Sequence, residues 1–126
     1  MIELKGINKS YGNLRVLDNV SLSIGNNEII TIVGLSGAGK TTLLQIAGTL
    51  DRPDSGSVFY DGEDIARFND RRLSAFRNRN IGFIFQFHQL LPEFTAQENV
   101  ALPAMIAGES GKGAQKRAAE LLGLLG

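Results

Sequence analysis

The stretch Gly34-Leu35-Ser36-Gly37-Ala38-Gly39-Lys40-Thr41 constrains this chain more than any other, because it satisfies G-x-x-x-x-G-K-[ST] at every position. Before it stands Ile29-Ile30-Thr31-Ile32-Val33, a nearly continuous β-branched run that predicts a strand covered on both faces in a parallel sheet. After it, Leu43, Leu44, Ile46, Ala47 and Leu50 fall at helical spacing, and Asp51-Arg52-Pro53-Asp54-Ser55-Gly56 stops the helix. Strand, glycine loop, helix is the order the pattern requires. Glycines let the backbone curl until successive N–H groups point inward, and the helix N-terminus adds partial positive charge. Such a nest meets phosphate oxygens without any base. Lys40 brings a point charge for β- and γ-phosphates, Thr41 a hydroxyl suited to Mg²⁺, and Thr42 a hydroxyl for an α-phosphate. The expected ligand is a nucleoside triphosphate, ATP with Mg²⁺. A plain strand-to-helix turn would leave Lys40 unexplained at the head of an apolar helix. A dinucleotide fingerprint fails because no G-x-G-x-x-G occurs.

The rest of the chain narrows the class. Its 126 residues with 43% apolar content suit one globular domain with a core. Thirteen basic and thirteen acidic side chains cancel, so bulk charge recruits neither nucleic acid nor an anionic membrane. With no cysteine there is no disulfide, thiolate metal site or cysteine nucleophile, in keeping with a reducing, cytoplasmic compartment. No apolar run is long enough to cross a bilayer, and MIELKGINKSYG has neither the basic start nor the apolar stretch of a signal peptide. A soluble, unprocessed protein is expected, one that would serve a membrane only through a separate membrane-embedded partner.

Alternation at Ile2 and Leu4 and at Val20, Leu22 and Ile24, with turns at Tyr11-Gly12-Asn13 and Gly25-Asn26-Asn27, predicts half-buried antiparallel strands. A short strand over 57–60 turns at Asp61-Gly62, which reads as a hairpin turn and not a metal site. A polar helix is expected over 70–78. Ile81-Gly82-Phe83-Ile84-Phe85 predicts a second buried strand that delivers Gln86 at its C-terminal end, where open α/β sheets place ligands. Thr95 with Glu98 three positions on forms a capping pattern for a helix that runs toward Ala107 and tolerates or bends at Pro103. A flexible break, Gly108-Glu109-Ser110-Gly111, precedes a helix over 114–125 with Ala118, Leu121, Leu122 and Leu125 as an apolar stripe.

With the loop, the Gln86 strand end and Tyr11 taken together, the chain resembles the nucleotide-binding subunit of ABC transporters over essentially its whole length. The resemblance implies an α/β fold. It comprises a P-loop NTPase (RecA-like) core (28–56, 81–86), an N-terminal antiparallel β subdomain (1–27, 57–66) and the start of a helical subdomain (87–126). It implies that Tyr11 stacks on adenine, with Val16 near the base, and that Gln86 touches Mg²⁺ or the attacking water and senses the membrane partner. The segment 87–100 looks most like the lipoprotein-releasing ATPases, with macrolide exporters and the cell-division ATPase as wider relatives. The family's signature motif, its acidic metal strand with the catalytic glutamate, and its switch histidine are expected beyond residue 126. The further strand should lie between or beside the Ile29 and Ile81 strands, whose edge is otherwise unpaired.

By the same resemblance, each ATP is held between two subunits of a homodimer, and a transmembrane permease is contacted through Gln86–Thr95. The full-length subunit is then an ATPase on the cytoplasmic face of the inner membrane, and residues 1–126 alone are a non-hydrolysing fragment, nucleotide-binding or misassembled. Another P-loop enzyme such as a kinase is the third class, and would need a phosphate acceptor. His88 has no carboxylate or second histidine at metal-ligand spacing and reads as a loop residue. Phe87, Leu90, Leu91 and Phe94 suit either docking or internal packing. Arg67, Arg71, Arg72, Arg77 and Arg79 lack aromatic interleaving and read as a solvated helix face, not a nucleic-acid patch.

Overall fold

The alternating N-terminal segments form a hairpin: β1 (Ile2–Tyr11) and β2 (Leu14–Ile24) pair antiparallel across a turn at Gly12-Asn13. The computed structural model describes residues 1–37 and 39–126. The second edge of β1 pairs with β3 (Ser55–Tyr60), which turns at Asp61-Gly62 into the short β4 (Glu63–Asp64). Both turn residues have positive φ, 49° and 81°, as a tight hairpin turn requires. The sheet order is β2-β1-β3-β4, antiparallel throughout.

Two compact units divide the chain, Met1–Ser74 and Ala75–Gly126. In the first, Leu4 and Ile7 of β1, Leu17 of β2 and Val58 of β3 are buried. So are Leu43 and Ile46 of helix α1 (Lys40–Ala47). A single 3-10 turn, Ile65–Arg67, opens under an Asp64 side-chain cap and adds buried Ile65, with Phe68 and Leu73 following. Ile46, Val58, Ile65 and Leu73 all face one cavity of about 130 Å³, also lined by Thr49, Asp51 and Arg52. Helix α2 (Asp70–Asn80) carries the unit boundary within it.

The β1–β2 register is irregular between Ile7 and Ser10, where the ladder passes from Ile7↔Val20 to Lys9↔Leu17. The extra residues on β2 include Asn19 at φ 49°, a bulge that re-aims the strand. Asn8 organises it: its Oδ1 accepts from the Asn19 N–H at 2.9 Å, and its Nδ2 donates to Ser55 Oγ and Gly6 O.

In the second unit, α3 (Ala96–Ile106) begins with the full capping box of Thr95 and Glu98 and continues through Pro103. Helix α4 (Gly111–Leu125) starts one turn earlier than the sequence suggests, because Ser110 caps it through the Gly113 N–H. The 108–111 break is therefore a capped turn. Small residues let α3 and α4 approach: Ala101, Ala114 and Ala118 are buried together with Ala104 against them. Of the expected stripe on α4, Ala118 is packed, while Leu121 and Leu125 remain exposed.

Two expectations are corrected. Neither Ile29–Val33 nor Ile81–Phe85 enters a β-ladder among the described residues. Ile29 and Val33 are 93% and 83% exposed and Ile84 fully so, the opposite of strands covered on both faces. A parallel strand exists only by hydrogen bonding to neighbours, and the described residues offer these segments none. The Phe83 and Phe85 rings stack at 5.5 Å, as residues two apart do on one face of extended chain.

Candidate nucleotide site

Within the glycine motif Ala38 lies outside the described residues, and two glycines take the conformation that the sequence pattern explains. Gly37 and Gly39 have φ of 82° and 91°, the left-handed region that side chains resist. Gly39 is buried and caps α1 with no side-chain acceptor at that end. The N–H groups of the first helical turn thus face outward without an intrahelical partner, and Leu43 N–H closes the first turn on Gly39 O at 2.9 Å. Gly34, Leu35, Ser36 and Thr41 are exposed, and Thr42 is half-buried.

Lys40 folds its side chain back over the loop, donating from Nζ to Gly34 O and, at 2.8 Å, to Leu35 O. The ammonium therefore reaches back to the start of the loop that Lys40 closes. Val16, on β2, lies against the other side: a Cβ placed on Gly39 would come within 2.9 Å of Val16 Cγ1. Two residues predicted from separate parts of the sequence are thereby brought together.

Tyr11 ends β1 as a residue 48% exposed, its hydroxyl donating to Asp51 Oδ2 at 2.9 Å. Lys9 Nζ lies 5.4 Å from the ring centroid and also donates to Asp51 Oδ1 at 3.3 Å and Arg52 O at 2.8 Å. Desolvation, the largest single influence on Asp51, raises its pKa. The bonds from Tyr11, the Arg52 N–H and Lys9 together outweigh it and leave the carboxyl below its ordinary value. Lys9 behaves reciprocally: desolvation lowers its pKa, and Asp51 and Asp54 more than restore it, so it ends raised.

Sequence reasoning missed this cluster by treating residues 51–56 only as a helix stop. A signal was present in the period of two that puts Lys9 and Tyr11 on one face of β1.

Gln86 belongs to the second unit and sits exposed in a bend after the 81–85 segment. Phe87, Leu90, Leu91 and Phe94 are exposed, and His88 with them. What shapes this segment is Asn99 of α3. Its Oδ1 accepts from Leu91 N–H at 2.8 Å, and its Nδ2 donates to Leu91 O, Phe94 O and Thr95 O. Among the arginines, Arg72 pairs with Glu63 and lies over Phe68, and Arg79 donates to Ala107 O. No group of three His, Asp or Glu side chains among the described residues could hold a metal.

A left-handed glycine loop that ends in Lys-Thr and opens an uncapped helix defines a P-loop protein. The ABC transporter family model matches residues 17–126, and the chain belongs to that family. It is 62% identical over all 126 residues to the lipoprotein-releasing system ATP-binding protein LolD of Bacteroides thetaiotaomicron. The LolD proteins of Bacteroides fragilis and Geobacter metallireducens are 59% and 51% identical, each aligned to the full chain. The chain spans 58% of the length of each of these relatives.

A solved dimer of MJ0796, a bacterial ABC transporter cassette, superposes with a TM-score of 0.87 at 41% identity, covering 95% of this chain and 55% of that one. The same cassette in a post-hydrolysis state bound to ADP and Pi gives 0.86 at 40%. At that identity the α/β P-loop cassette fold follows, although residues 29–33 and 81–85 join no β-ladder among the described residues.

Proposed function

We propose that this protein is the ATP-binding subunit of an ABC transporter that releases lipoproteins from the inner membrane. The observation that carries the reading is the 62% identity, across the whole chain, to a relative named for that system. The phosphate loop is intact within it.

The loop fits a Mg-triphosphate. Outward N–H groups at an uncapped helix start and a lysine ammonium already seated in the loop are complementary to phosphate oxygens. In this reading the backbone from Gly34 to Gly39, Ala38 included, cradles the phosphates and Lys40 neutralises the β- and γ-groups. Thr41 holds Mg²⁺ and Thr42 meets the α-phosphate. Mg²⁺, when bound, neutralises charge that develops on the phosphates. Tyr11 stacks on adenine with Val16 beside it, and Gln86 supplies an amide to the metal or to the attacking water.

Hydrolysis then requires the homodimer and the glutamate and histidine expected beyond residue 126. Coupling runs through Gln86–Thr95 to a transmembrane permease, which would hold the subunit at the cytoplasmic face of the membrane. Residues 87–126 are the start of the helical subdomain. Phosphate release from Mg-ATP tests the reading. The full-length subunit turns over and Lys40→Ala does not, whereas residues 1–126 alone bind without turnover. Hydrolysis by residues 1–126 that Lys40→Ala abolishes would contradict the division of labour, and acceptor-dependent phosphate transfer would point to a kinase instead.

A further inference from the structure

Helix α1 carries the phosphate-binding end of the site, and its opposite end is tied to Tyr11. After Ala47 the chain closes tightly: Gly48 N–H donates to Leu44 O, and the Leu50 and Asp51 N–H groups both donate to Gln45 O. Asp51 is thus fixed to the last turn of α1. Both its carboxylate oxygens accept from the hairpin, Oδ1 from Lys9 and Oδ2 from the Tyr11 hydroxyl, and Oδ1 also accepts from the adjacent Arg52 N–H. Asp54 adds a second tie, accepting from Ser10 N–H at 2.7 Å while its own N–H donates to Asn8 O.

We propose that Asp51 is a positioning residue for the base: it locks the Tyr11 ring at a set place relative to α1, and so sets the spacing between base and phosphates. The inference rests on the reading that Tyr11 stacks on adenine. An aromatic ring at the exposed end of a hairpin has rotamer freedom that binding would have to remove. A ring held at its hydroxyl by a carboxylate, with an ammonium over its face, has given that freedom up beforehand. Helix α1 has eight residues, a span of about 12 Å, so Lys40 at its first residue and the Asp51 turn bonded to its last turn would hold the two ends of the nucleotide. Lys9 helps to aim the carboxylate, donating to Oδ1 from a side chain that is only 13% exposed.

The test compares Mg-ATP with Mg-tripolyphosphate, which has phosphates and no base, by calorimetric titration of the chain and its variants. Tyr11→Phe keeps the ring and removes the tie. Tyr11→Phe and Asp51→Ala should each weaken ATP roughly 3- to 10-fold, the size of one lost hydrogen bond, and leave tripolyphosphate unchanged. The double variant should lose little more than either single one. Equal losses for both ligands in Asp51→Ala would overturn the proposal in favour of a merely structural tether. ATP affinity retained in Tyr11→Phe and Asp51→Ala but lost in Tyr11→Ala would also overturn it, while leaving the stacking role intact. Unchanged ATP affinity in Tyr11→Ala would remove the stacking role, and the proposal with it.

Discussion

Val16 lies so close to Gly39 that a Cβ on the glycine would meet the Val16 carbonyl oxygen at 2.8 Å, a distance real side chains do not adopt. Gly39 also needs φ of 91°. Gly39→Ala should therefore cost roughly 2 to 4 kcal/mol from overpacking and backbone strain together. Gly37→Ala, with φ of 82° but nothing within 4 Å, should cost only about 1 kcal/mol. Urea unfolding of the two variants checks this, and equal losses would show that the β2 contact is not what fixes the loop.

A second close approach joins β1 to β3. A Cβ on Gly56 would sit 2.4 Å from Gly6 O and 2.7 Å from Lys5 O, at φ of 97°. Gly56→Ala should lower the melting temperature more than Gly12→Ala, which has φ of 60° in open space. The two strands would have to separate to admit the methyl group. Similar melting temperatures for the two variants would contradict that reading.

The local elements were legible because their causes are local. The Thr95/Glu98 capping box, the Asp61-Gly62 turn and the helix after Lys40 each depend on residues within one turn of one another. Ile29–Val33 and Ile81–Phe85 were misjudged as buried strands because burial of a parallel strand depends on neighbours far away in sequence. The glycine motif could be read directly, yet the Lys9–Tyr11–Asp51 cluster could not, since it joins residues 40 or more apart. Asn99 was hidden for a different reason: an asparagine in a helix carries no signature until the carbonyls it gathers are seen.

Asn99→Ala removes the acceptor for Leu91 N–H and the donor to three carbonyls. Each bond is worth about 1 kcal/mol net, and all act on the turn that presents Leu91 and Phe94. Amide exchange over residues 90–95 should accelerate in this variant by about tenfold or more, with the α3–α4 alanine contacts keeping their protection. If permease docking uses this turn, stimulation of ATPase activity by the membrane subunit should fall while nucleotide affinity does not. Unaltered exchange would show that Asn99 does not brace the turn.

Stability should fall on both sides of neutrality. Asp51 and Glu98 have folded pKa values below their ordinary ones. They contribute stability that is present above the unfolded values near ~4 and lost as pH falls through the folded ones. Lys9 is raised, so its contribution holds below about pH 10.4 and disappears as pH rises through the folded value. Tyr60, whose hydroxyl donates to Ala47 O, is pushed up to about 12 by burial. Above about pH 10 the unfolded tyrosine ionises before the folded one, and stability falls further. Urea midpoints should be flat from about pH 5 to 9. Asp51→Asn should flatten part of the acid limb, Glu98 keeping the rest, and Tyr60→Phe part of the alkaline limb; limbs unchanged in these variants would refute the assignments.

The central claim is that Lys40, seated over the Gly34 and Leu35 carbonyls, marks a site for the phosphates of a nucleotide. Calorimetric titration of the chain with Mg-ATP, repeated with Lys40→Ala, tests it most directly. Saturable binding that tripolyphosphate competes away is predicted. Lys40→Ala should weaken it roughly 10- to 100-fold, as loss of a charged hydrogen-bonding group would, with little change in melting temperature. Undiminished affinity in Lys40→Ala, or binding that tripolyphosphate leaves untouched, would place the nucleotide elsewhere and contradict the account.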